Sequence, residues 1–348
     1  MTNFSKNDTH FMSLALQLAR KGRYGVASNP MVGCVIVKDN KIIAKGYHQT
    51  FGKAHAEINA LTQINHQAKG ATLYVTLEPC AHQGKTPPCT QAIIDASVKE
   101  VVIATLDPNP LVSGKGIAVL TGAGIVVKTG LLKDESKELN RGFIKRMETG
   151  LPFVTCKIAM SIDGKTAMAS GQSKWITGQE ARQDVQKLRA KNQAILTGSG
   201  TILADNPSMT VRLDGVDSTP LRVVIDGKNQ ITDTTLKIFS NAANTKIFNS
   251  GNTQRNNAGK LDLHHVLAQL AQQNINSVLL ESGPKLIGAM VEAGLVDEFI
   301  LYTAPLLMGS NATSMIQLAI QQMDECLAFN IQDIRMVGQD IKITATLK

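Results

Sequence analysis

The chain has 348 residues, 43% of them hydrophobic, and a formal net charge of +8. This length can bury two hydrophobic cores, which favours two domains. It contains no run of about 18 apolar residues, and its apolar run at 14–19 is interrupted by Gln17, so we expect neither a membrane-spanning helix nor a secretory leader. Its five cysteines are scattered rather than spaced as a disulfide framework, and the sequence therefore predicts a cytoplasmic protein.

The positive charge is concentrated in the first half of the chain. Residues 1–150 contain 18 Lys and Arg against 11 Asp and Glu, whereas residues 151–348 contain 18 against 17. Such an excess can hold an anionic substrate, either a phosphate ester or a nucleic acid, although a solvated surface explains it equally well. RNA recognition would require stacking aromatic residues among the basic ones, and aromatics make up only 4% of the chain. We therefore expect no nucleic-acid partner, whereas a phosphate-ester substrate and a solvated surface both stay open.

In the first half, apolar spacing and turn residues predict alternating helices and strands. A helix is predicted over 9–22, where Phe11, Leu14 and Leu18 have helical spacing. The elements predicted after it are strands over 31–37 and 41–46, a helix carrying His55 and Glu57, a strand over 71–77, a helix over 89–96, a strand over 101–105, a helix over 115–122 and a strand over 125–128. A charged helix over 134–147 is predicted to connect this α/β domain to the next one, with the boundary at Thr149-Gly150.

A group of possible metal ligands lies in the middle of this half. His55 opens the sequence H-A-E, Cys80 closes E-P-C, and Cys89 follows after a polar insert. One imidazole and two thiolates can hold catalytic zinc with a fourth position open, and Glu57 can then serve as the general acid/base of a zinc deaminase. Because Pro79 favours a helix start, we expect Cys80 to open a helix whose N-terminus stabilises its thiolate. The second cysteine is displaced from i+3 to i+9 relative to the general signature, so a loop with two unrelated cysteines is the alternative.

The second half also predicts an α/β domain, because strands and helices alternate along it. The predicted elements are a strand over 153–159, a helix over 179–191, strands over 194–197 and 221–226, a helix over 262–273, a strand over 277–281, a helix over 284–293 and strands over 298–304 and 341–347. The turns G-S-G-T at 198–201 and E-S-G-P at 281–284 place glycine between a strand and a helix, where free backbone N–H groups can bind phosphate. An ordinary glycine turn is the alternative for either, and residues 214–262 contain no interpretable motif.

The first half contains a series of specific motifs: S-N-P-M-V-G-C-V-I-V, G-Y-H, H-A-E, V-T-L-E-P-C-A-H-Q-G-K-T-P-P-C and D-P-N-P-L-V-S-G-K-G. With these motifs it resembles the deaminase part of the bifunctional deaminase/reductase of bacterial riboflavin biosynthesis. The resemblance implies that residues 1–149 form a cytidine-deaminase-like three-layer domain, with His55, Cys80 and Cys89 on zinc and Glu57 as the catalytic residue. The implied substrate is 2,5-diamino-6-ribosylamino-4(3H)-pyrimidinone 5′-phosphate, which loses its 2-amino group as ammonia. The implied substrate contacts are Asn29, His48, His82, Lys85 and Thr86.

The second half resembles the dihydrofolate-reductase-like part of the same enzyme. The matching motifs are K-I-A-M-S-I-D-G-K-T-A, S-K-W-I-T, G-T-I-L-A-D-N-P-x-x-T-V-R and L-L-E-S-G-P-x-L-x-G. The resemblance implies that residues 150–348 form an α/β reductase domain, which transfers hydride from NADPH to C1′ of the open ribose and gives a ribitylamine. The implied NADPH contacts are Ala159, Trp175, Thr201, Asp205, Gly283, Pro284, Lys285, Leu286, Ile287, Gly288 and Ala289. The implied substrate contacts are Ser173, Arg189, Met209, Arg212 and Glu281.

Some alternatives stay open at the level of sequence. Core packing is the other interpretation of Trp175, the only tryptophan in the chain. Lys157 and Asp205 are both candidates for polarising the reacting carbon, and no residue is identified that selects NADPH over NADH. We expect a homo-oligomer, because an intermediate passes between two domains. The competing functions are a nucleic-acid deaminase with an accessory domain, and an enzyme in which one half only scaffolds the other.

Overall fold

The chain folds into two compact units, Met1–Thr149 and Gly150–Lys348. A computed structural model describes residues 4–82, 87–109 and 112–348. One large β-sheet forms the centre of each unit. Among the described residues, no helix combines the length and the hydrophobicity needed to cross a lipid bilayer.

The first unit contains a five-stranded mixed sheet. Its strands are β1 (Gly33–Lys38), β2 (Lys41–Tyr47), β3 (Thr72–Leu77), β4 (Glu100–Thr105) and β5 (Val126–Thr129), in the spatial order β2-β1-β3-β4-β5. Its helices are α1 (Lys6–Ala19), α2 (Ala56–Thr62), α3 (Cys89–Asp95), α4 (Lys115–Gly122), α5 (Lys133–Leu139) and α6 (Arg141–Thr149). β1 runs antiparallel to β2 and β3, whereas β3, β4 and β5 are parallel. All five predicted strands are confirmed, with ends that differ by one or two residues.

Helices cover both faces of this sheet, which confirms the predicted three layers. Side chains of a strand point alternately to opposite faces. On β1, Cys34 and Ile36 pack with α2, α3 and α4, whereas Val35 and Val37 pack with α1. β3 and β4 divide their side chains between the two cores in the same way. The apolar runs of these strands are therefore buried on both sides.

Two predictions for this unit are wrong. No helix begins at Cys80; α3 begins at Cys89, and Pro88 is its N-cap. A helix from Cys80 would place Pro87 and Pro88 in its interior, where proline removes hydrogen bonds and clashes with the preceding turn. The single helix predicted over 134–147 is instead two helices, α5 and α6, which are interrupted at Asn140.

The second unit contains an eight-stranded sheet, and a two-stranded ribbon lies beside it. The sheet strands are β6 (Phe153–Ser161), β8 (Ala194–Gly198), β9 (Leu221–Asp226), β10 (Thr245–Asn249), β11 (Ser277–Leu280), β12 (Glu298–Ala304), β14 (Phe329–Val337) and β15 (Asp340–Leu347), in the order β10-β9-β8-β11-β6-β12-β15-β14. The ribbon pairs β7 (Lys165–Ala167) with β13 (Thr313–Ser314). The helices are α7 (Gln179–Lys191), α8 (Ser199–Asp205), α9 (Leu263–Gln272) and α10 (Pro284–Glu292). The strands from β10 to β12 are parallel, and β15 and β14 extend the sheet antiparallel.

This sheet is also covered on both faces, as predicted for an α/β domain. α9 and α10 pack on one face, where Val266, Leu270 and Ile287 belong to the larger core. α7 packs on the other face through Ala181 and Val185. All strands and helices predicted for this half are confirmed, whereas β10 and β14 were not predicted.

A buried arginine organises the part of this unit that has no sequence motif. Arg222 on β9 is 1% exposed. Its guanidinium donates to the carbonyl oxygens of Ser208 (3.3 Å), Lys237 (3.2 Å), Ser240 (2.6 Å) and Ala243. It also donates to the Ser240 hydroxyl at 3.2 Å. Because these acceptors come from two separate segments, one side chain ties both to the sheet.

Candidate active sites

Three side chains of the first unit meet in the manner expected for a zinc site. The ligand atoms of His55, Cys80 and Cys89 lie within 4.8 Å of one another. His55 Nδ1 is 3.2 Å from Cys89 Sγ and 3.6 Å from Cys80 Sγ. A tetrahedral zinc ion lies about 2.0 Å from nitrogen and about 2.3 Å from sulfur, which puts two such ligand atoms about 3.5 Å apart. The group therefore fits zinc in both chemistry and spacing.

Each of these residues lies next to the end of a regular element. His55 is the N-cap of α2, Cys80 follows β3, and Cys89 is the first residue of α3. The hydrogen bond from the Cys89 thiol lowers the pKa of Cys80 to about 4, although burial opposes this shift. The Cys89 backbone N–H also donates to Cys80 Sγ at 3.4 Å. Hydrogen bonds, rather than the helix N-terminus expected from Pro79, thus favour the Cys80 thiolate, which is the form that binds a metal.

The carboxyl group of Glu57 lies in the first turn of α2 and lines the same cavity as His55 and Cys80. Its side chain is 3% exposed. Burial raises the pKa of this carboxyl above its ordinary value, although His55 opposes the shift. A raised carboxyl pKa favours proton exchange near neutral pH, as a general acid/base requires.

A cavity of about 310 Å³ lies over this group, a volume that suits a small-molecule ligand. The predicted contacts Asn29, His48 and His82 all line it. His48 Nδ1 is 3.1 Å from the carbonyl oxygen of Ala54, and His48 Nε2 is 3.1 Å from Asn29 Nδ2. The Nδ2 group of Asn29 can only donate, so His48 Nε2 accepts. The carbonyl oxygen of Ala54 can only accept, so His48 Nδ1 donates. His48 is therefore neutral, with its proton on Nδ1. Burial also lowers the pKa of His48.

Two predicted substrate contacts, Lys85 and Thr86, lie outside the described residues, and their roles stay predictions. The cavity also contains residues that sequence reasoning did not assign. These are Phe51, Lys53, Asp107, Asn109, Val112 and Phe143. Burial raises the pKa of Asp107 to about 6. The motif D-P-N-P could have drawn attention to Asp107 and Asn109, whereas no local pattern marks Phe143.

Glu78 of the E-P-C sequence has a structural role that was also missed. It is buried, at 4% exposure. Its carboxylate accepts hydrogen bonds from the backbone N–H groups of Gly114 and Gly116 at 3.0 Å, and from those of Asp107 and Ile117 at 3.4 Å. It therefore caps α4 and holds the backbone of Asp107 and of Gly114 to Ile117 beside the turn that carries Cys80.

In the second unit, a buried carboxylate joins two cations at the end of β11. Glu281 is 9% exposed and pairs with Arg189 through two hydrogen bonds, at 2.7 and 3.0 Å. Lys157 Nζ on β6 is 3.6 Å from Glu281 Oε2. Although burial opposes it, Arg189 and Lys157 lower the pKa of Glu281 to about 2. The structure thus brings together three residues that the sequence had singled out separately.

The two arginines predicted to contact substrate converge on Thr210. Arg189 Nη1 donates to the Thr210 carbonyl oxygen at 3.1 Å, and Arg212 Nη1 donates to its hydroxyl at 3.5 Å. Arg189 is mostly buried, whereas Arg212 is exposed. Three of the five N–H donors of Arg189 are engaged by Glu281 and Thr210, which leaves two for another ligand.

The two glycine turns lie side by side, because β8 and β11 are adjacent and parallel. The Gly198 N–H donates to the Ser282 hydroxyl at 3.1 Å. A Cβ added to Gly283, the N-cap of α10, would lie 4.0 Å from Thr201 Oγ1. Of the predicted cofactor contacts here, Ala159, Pro284, Leu286 and Ala289 are partly exposed and Lys285 is exposed, whereas Ile287 and Gly288 are buried.

The remaining predicted residues lie between β6 and α7 and in the segment after α8. Trp175 is 71% exposed and has the Arg182 guanidinium 4.7 Å above its ring, so its interpretation as core packing is wrong. Ser173 Oγ donates to Asp205 Oδ1 at 3.2 Å. Met209 is 3% exposed and packs in the core, and its predicted contact with the substrate stays a prediction.

Two family models match the chain, one in each unit. "Cytidine and deoxycytidylate deaminase zinc-binding region" matches residues 5–105. "RibD C-terminal domain" matches residues 152–343.

Full-length relatives match both halves together. The riboflavin biosynthesis protein RibD of Escherichia coli is 45% identical, and the match covers 96% of this chain and 98% of the relative. The structure of Acinetobacter baumannii RibD superposes with a TM-score of 0.92 at 43% identity, over 99% of each chain. A diaminohydroxyphosphoribosylaminopyrimidine deaminase/5-amino-6-(5-phosphoribosylamino)uracil reductase from Thermotoga maritima superposes with a TM-score of 0.89 at 33% identity, over 98% of this chain and 99% of that one.

Proposed function

Because the chain belongs to the RibD family of riboflavin biosynthesis proteins, we propose that each of its two units catalyses one of two successive steps. Residues 1–149 deaminate 2,5-diamino-6-ribosylamino-4(3H)-pyrimidinone 5′-phosphate, and residues 150–348 then reduce the ribosyl group of the product to a ribityl group. The chain is a zinc hydrolase and an NADPH-dependent oxidoreductase. The observation that carries the proposal is the His55–Cys80–Cys89 group, which lies beside buried Glu57 in a cavity of about 310 Å³.

In the deaminase step, His55, Cys80 and Cys89 hold zinc. When it is bound there, zinc makes water a nucleophile at neutral pH. Glu57 takes one proton from the attacking water and delivers it to the ring nitrogen. It then takes the second proton from the hydroxyl group that the water has become on the ring carbon and passes it to the amino group, which leaves as ammonia. Its raised pKa supports both halves of this transfer, because the same carboxyl must take up and release a proton.

The walls of the cavity recognise the substrate. Asn29 uses its amide N–H on His48, which leaves Asn29 Oδ1 to accept from an amino or hydroxyl group of the substrate. Neutral His48 fits beside an uncharged ring. His82, Lys85 and Thr86 are assigned to the ribosyl phosphate, where a lysine serves as a point charge.

In the reductase step, NADPH supplies the hydride. Asp205 and the adjoining turns at 198–201 and 281–284 would hold the cofactor, since backbone N–H groups at the start of α10 can donate to phosphate. Lys157, held by Glu281, polarises the reacting C1′ centre of the ribose. The substrate phosphate binds where Arg189 and Arg212 meet at Thr210, because two guanidinium groups there can donate to one anion.

The decisive experiment is a coupled assay on the purified zinc-loaded chain. Deamination is followed as ammonia release from the diaminopyrimidinone ribosyl phosphate, and NADPH is then added and its oxidation measured. We expect ammonia first and NADPH oxidation only after it. In Glu57→Ala, zinc content should stay at the wild-type level while ammonia release disappears.

The matched control is Glu135→Ala, which removes an exposed carboxylate from α5. It should keep both activities. Normal ammonia release in Glu57→Ala would contradict the acid/base role, whereas ammonia without NADPH oxidation in the wild type would reduce the second unit to a binding or scaffolding role.

We also propose that the protein works as a homo-oligomer in the cytoplasm. The edge strand β14 supports the oligomer: Ile331, Ile334 and Met336 are each about 60% exposed. A register shift between Ile331 and Asp333 keeps all three on the face of β15 residues Ile341 and Ile343. An exposed apolar edge of this kind favours pairing with a second chain. The buried free thiols Cys34 and Cys156 fit a reducing compartment.

A further inference from the structure

The helix pair α5–α6, which is interrupted at Asn140, looks from the sequence like a connector between two domains. We propose that it is a part of the deaminase site, and that Asn140 at the interruption is a positioning residue that holds Asn29 at the cavity wall. This inference rests on the proposed deaminase function of the first unit. The helix pair lies after residue 105, where the matched zinc-binding region ends.

The side chain of Asn140 binds both polar groups of one backbone residue. Its Oδ1 accepts from the Met31 N–H at 2.8 Å, and its Nδ2 donates to the Met31 carbonyl oxygen at 2.9 Å. Asn140 is only 4% exposed, so water cannot easily replace these bonds. A buried amide that satisfies both groups fixes the chain as a neighbouring strand would.

Met31 is separated from Asn29 only by Pro30, whose ring restricts the backbone. Fixing Met31 therefore fixes the direction in which Asn29 enters the cavity. Asn29 in turn donates to His48, and His48 contacts the carbonyl oxygen of Ala54, the residue before His55. Hydrogen bonds, together with the short stretch of backbone through Pro30, thus connect Asn140 to the residue next to a proposed zinc ligand.

The same helix pair also contacts the strand that leads to Cys80 and the cavity itself. Ser136 Oγ donates to the Thr76 carbonyl oxygen at 2.6 Å, and Thr76 Oγ1 accepts from the Gly33 N–H at 3.1 Å. Ser136 and Thr76 are fully buried. Phe143, one turn after Asn140 on α6, lines the cavity itself. The helix pair therefore supports the strands beside the cavity through Ser136 and forms part of the cavity wall through Phe143.

The test compares deamination by the zinc-loaded full chain with Asn140→Ala, Asn29→Ala and the double variant. Asn140→Ala should raise the KM for the diaminopyrimidinone ribosyl phosphate by about tenfold, the effect of one buried hydrogen-bonded contact displaced from its place. Zinc content and NADPH oxidation with the deaminated substrate should not change. Because Asn140 acts through Asn29, it should add little to the Asn29→Ala variant.

Two further variants complete the design. Asn140→Asp keeps the size of the side chain and the acceptor for the Met31 N–H but sets a carboxylate oxygen against the Met31 carbonyl oxygen, so it should raise KM at least as much as Asn140→Ala without leaving a cavity. Lys137→Ala, on the exposed face of α5, is the control and should match the wild type. Unchanged KM in both Asn140 variants, or effects of Asn140→Ala and Asn29→Ala that simply add, would overturn the inference. Absence of ammonia release in the wild type would instead reject the deaminase function itself.

Discussion

The close approach of α4 to the turn that carries Cys80 depends on the absence of a side chain at Gly116. A Cβ placed there would lie 2.1 Å from the carbonyl oxygen of Pro79, whereas real Cβ contacts essentially never fall under 3.0 Å. Gly116→Ala must therefore push the helix and the turn apart by at least 0.9 Å, the difference between these distances. The N–H of residue 116 is also the group that donates to Glu78 at 3.0 Å, and this bond would stretch with the shift.

The expected cost can be estimated from these contacts. Overpacking costs about 1–3 kcal/mol, and weakening a hydrogen bond to a buried carboxylate costs about 1.5–3 kcal/mol. Replacing glycine by alanine inside a helix returns about 1 kcal/mol. We therefore expect Gly116→Ala to lower the free energy of unfolding by about 3 kcal/mol and to reduce deamination, because Cys80 moves with the turn.

The same helix offers a matched control. Gly122 has nothing within 4 Å of an added Cβ, so Gly122→Ala should leave deamination unchanged and raise stability by up to about 1 kcal/mol. Urea unfolding of the zinc-loaded chain, followed by circular dichroism, measures stability, and NADPH oxidation reports on the second unit independently. If Gly116→Ala unfolded at the same urea concentration as the wild type and deaminated normally, the steric argument would be refuted.

Two other predictions concern the charged groups of the two sites. Cys89→Ser should weaken zinc binding, seen as metal lost on dialysis against a chelator; unchanged affinity would remove Cys89 from the ligand set. The pKa of Glu281, about 2, lies below the value of about 4.3 for an unfolded glutamate, so its ion pairs stabilise the fold above about pH 4 and this contribution is lost as the pH falls towards 2. In acid unfolding, the wild type should lose stability more steeply over that range than Glu281→Gln, and equal slopes would contradict the assignment.

A feature could be predicted from the sequence where a local pattern of residue types marks it. His55, Glu57 and the two cysteines could be identified because zinc deamination requires those residue types, and because strands and helices of ordinary length separate them. The buried strands were recognisable because their apolar runs are continuous. β14 was missed because its alternation of apolar and polar residues is interrupted: the register shift between Ile331 and Asp333 inserts one residue, so a strict two-residue period holds only for a few residues on either side.

The supporting contacts could not be predicted in this way. Asn140 binds Met31 across 109 residues, and Glu78 binds Gly116 across 38. Both bonds end on backbone groups, which every residue has, so the sequence of the partner carries no sign of the contact. The helix predicted at Cys80 does not form, although Pro79 favours a helix start. Two further prolines, at 87 and 88, disfavour a helix through this stretch, and α3 begins only after them.

The buried guanidinium of Arg222 has a consequence for how freely this protein can change over time. Four of its five acceptors are main-chain carbonyl oxygens, from Ser208, Lys237, Ser240 and Ala243. Four of these contacts do not depend on which side chains the loop carries, provided that the loop keeps its path; only the bond to the Ser240 hydroxyl does. The segment from Lys237 to Ala243 is therefore held mainly through its main chain, which explains how a stretch without a recognisable motif has a defined structure.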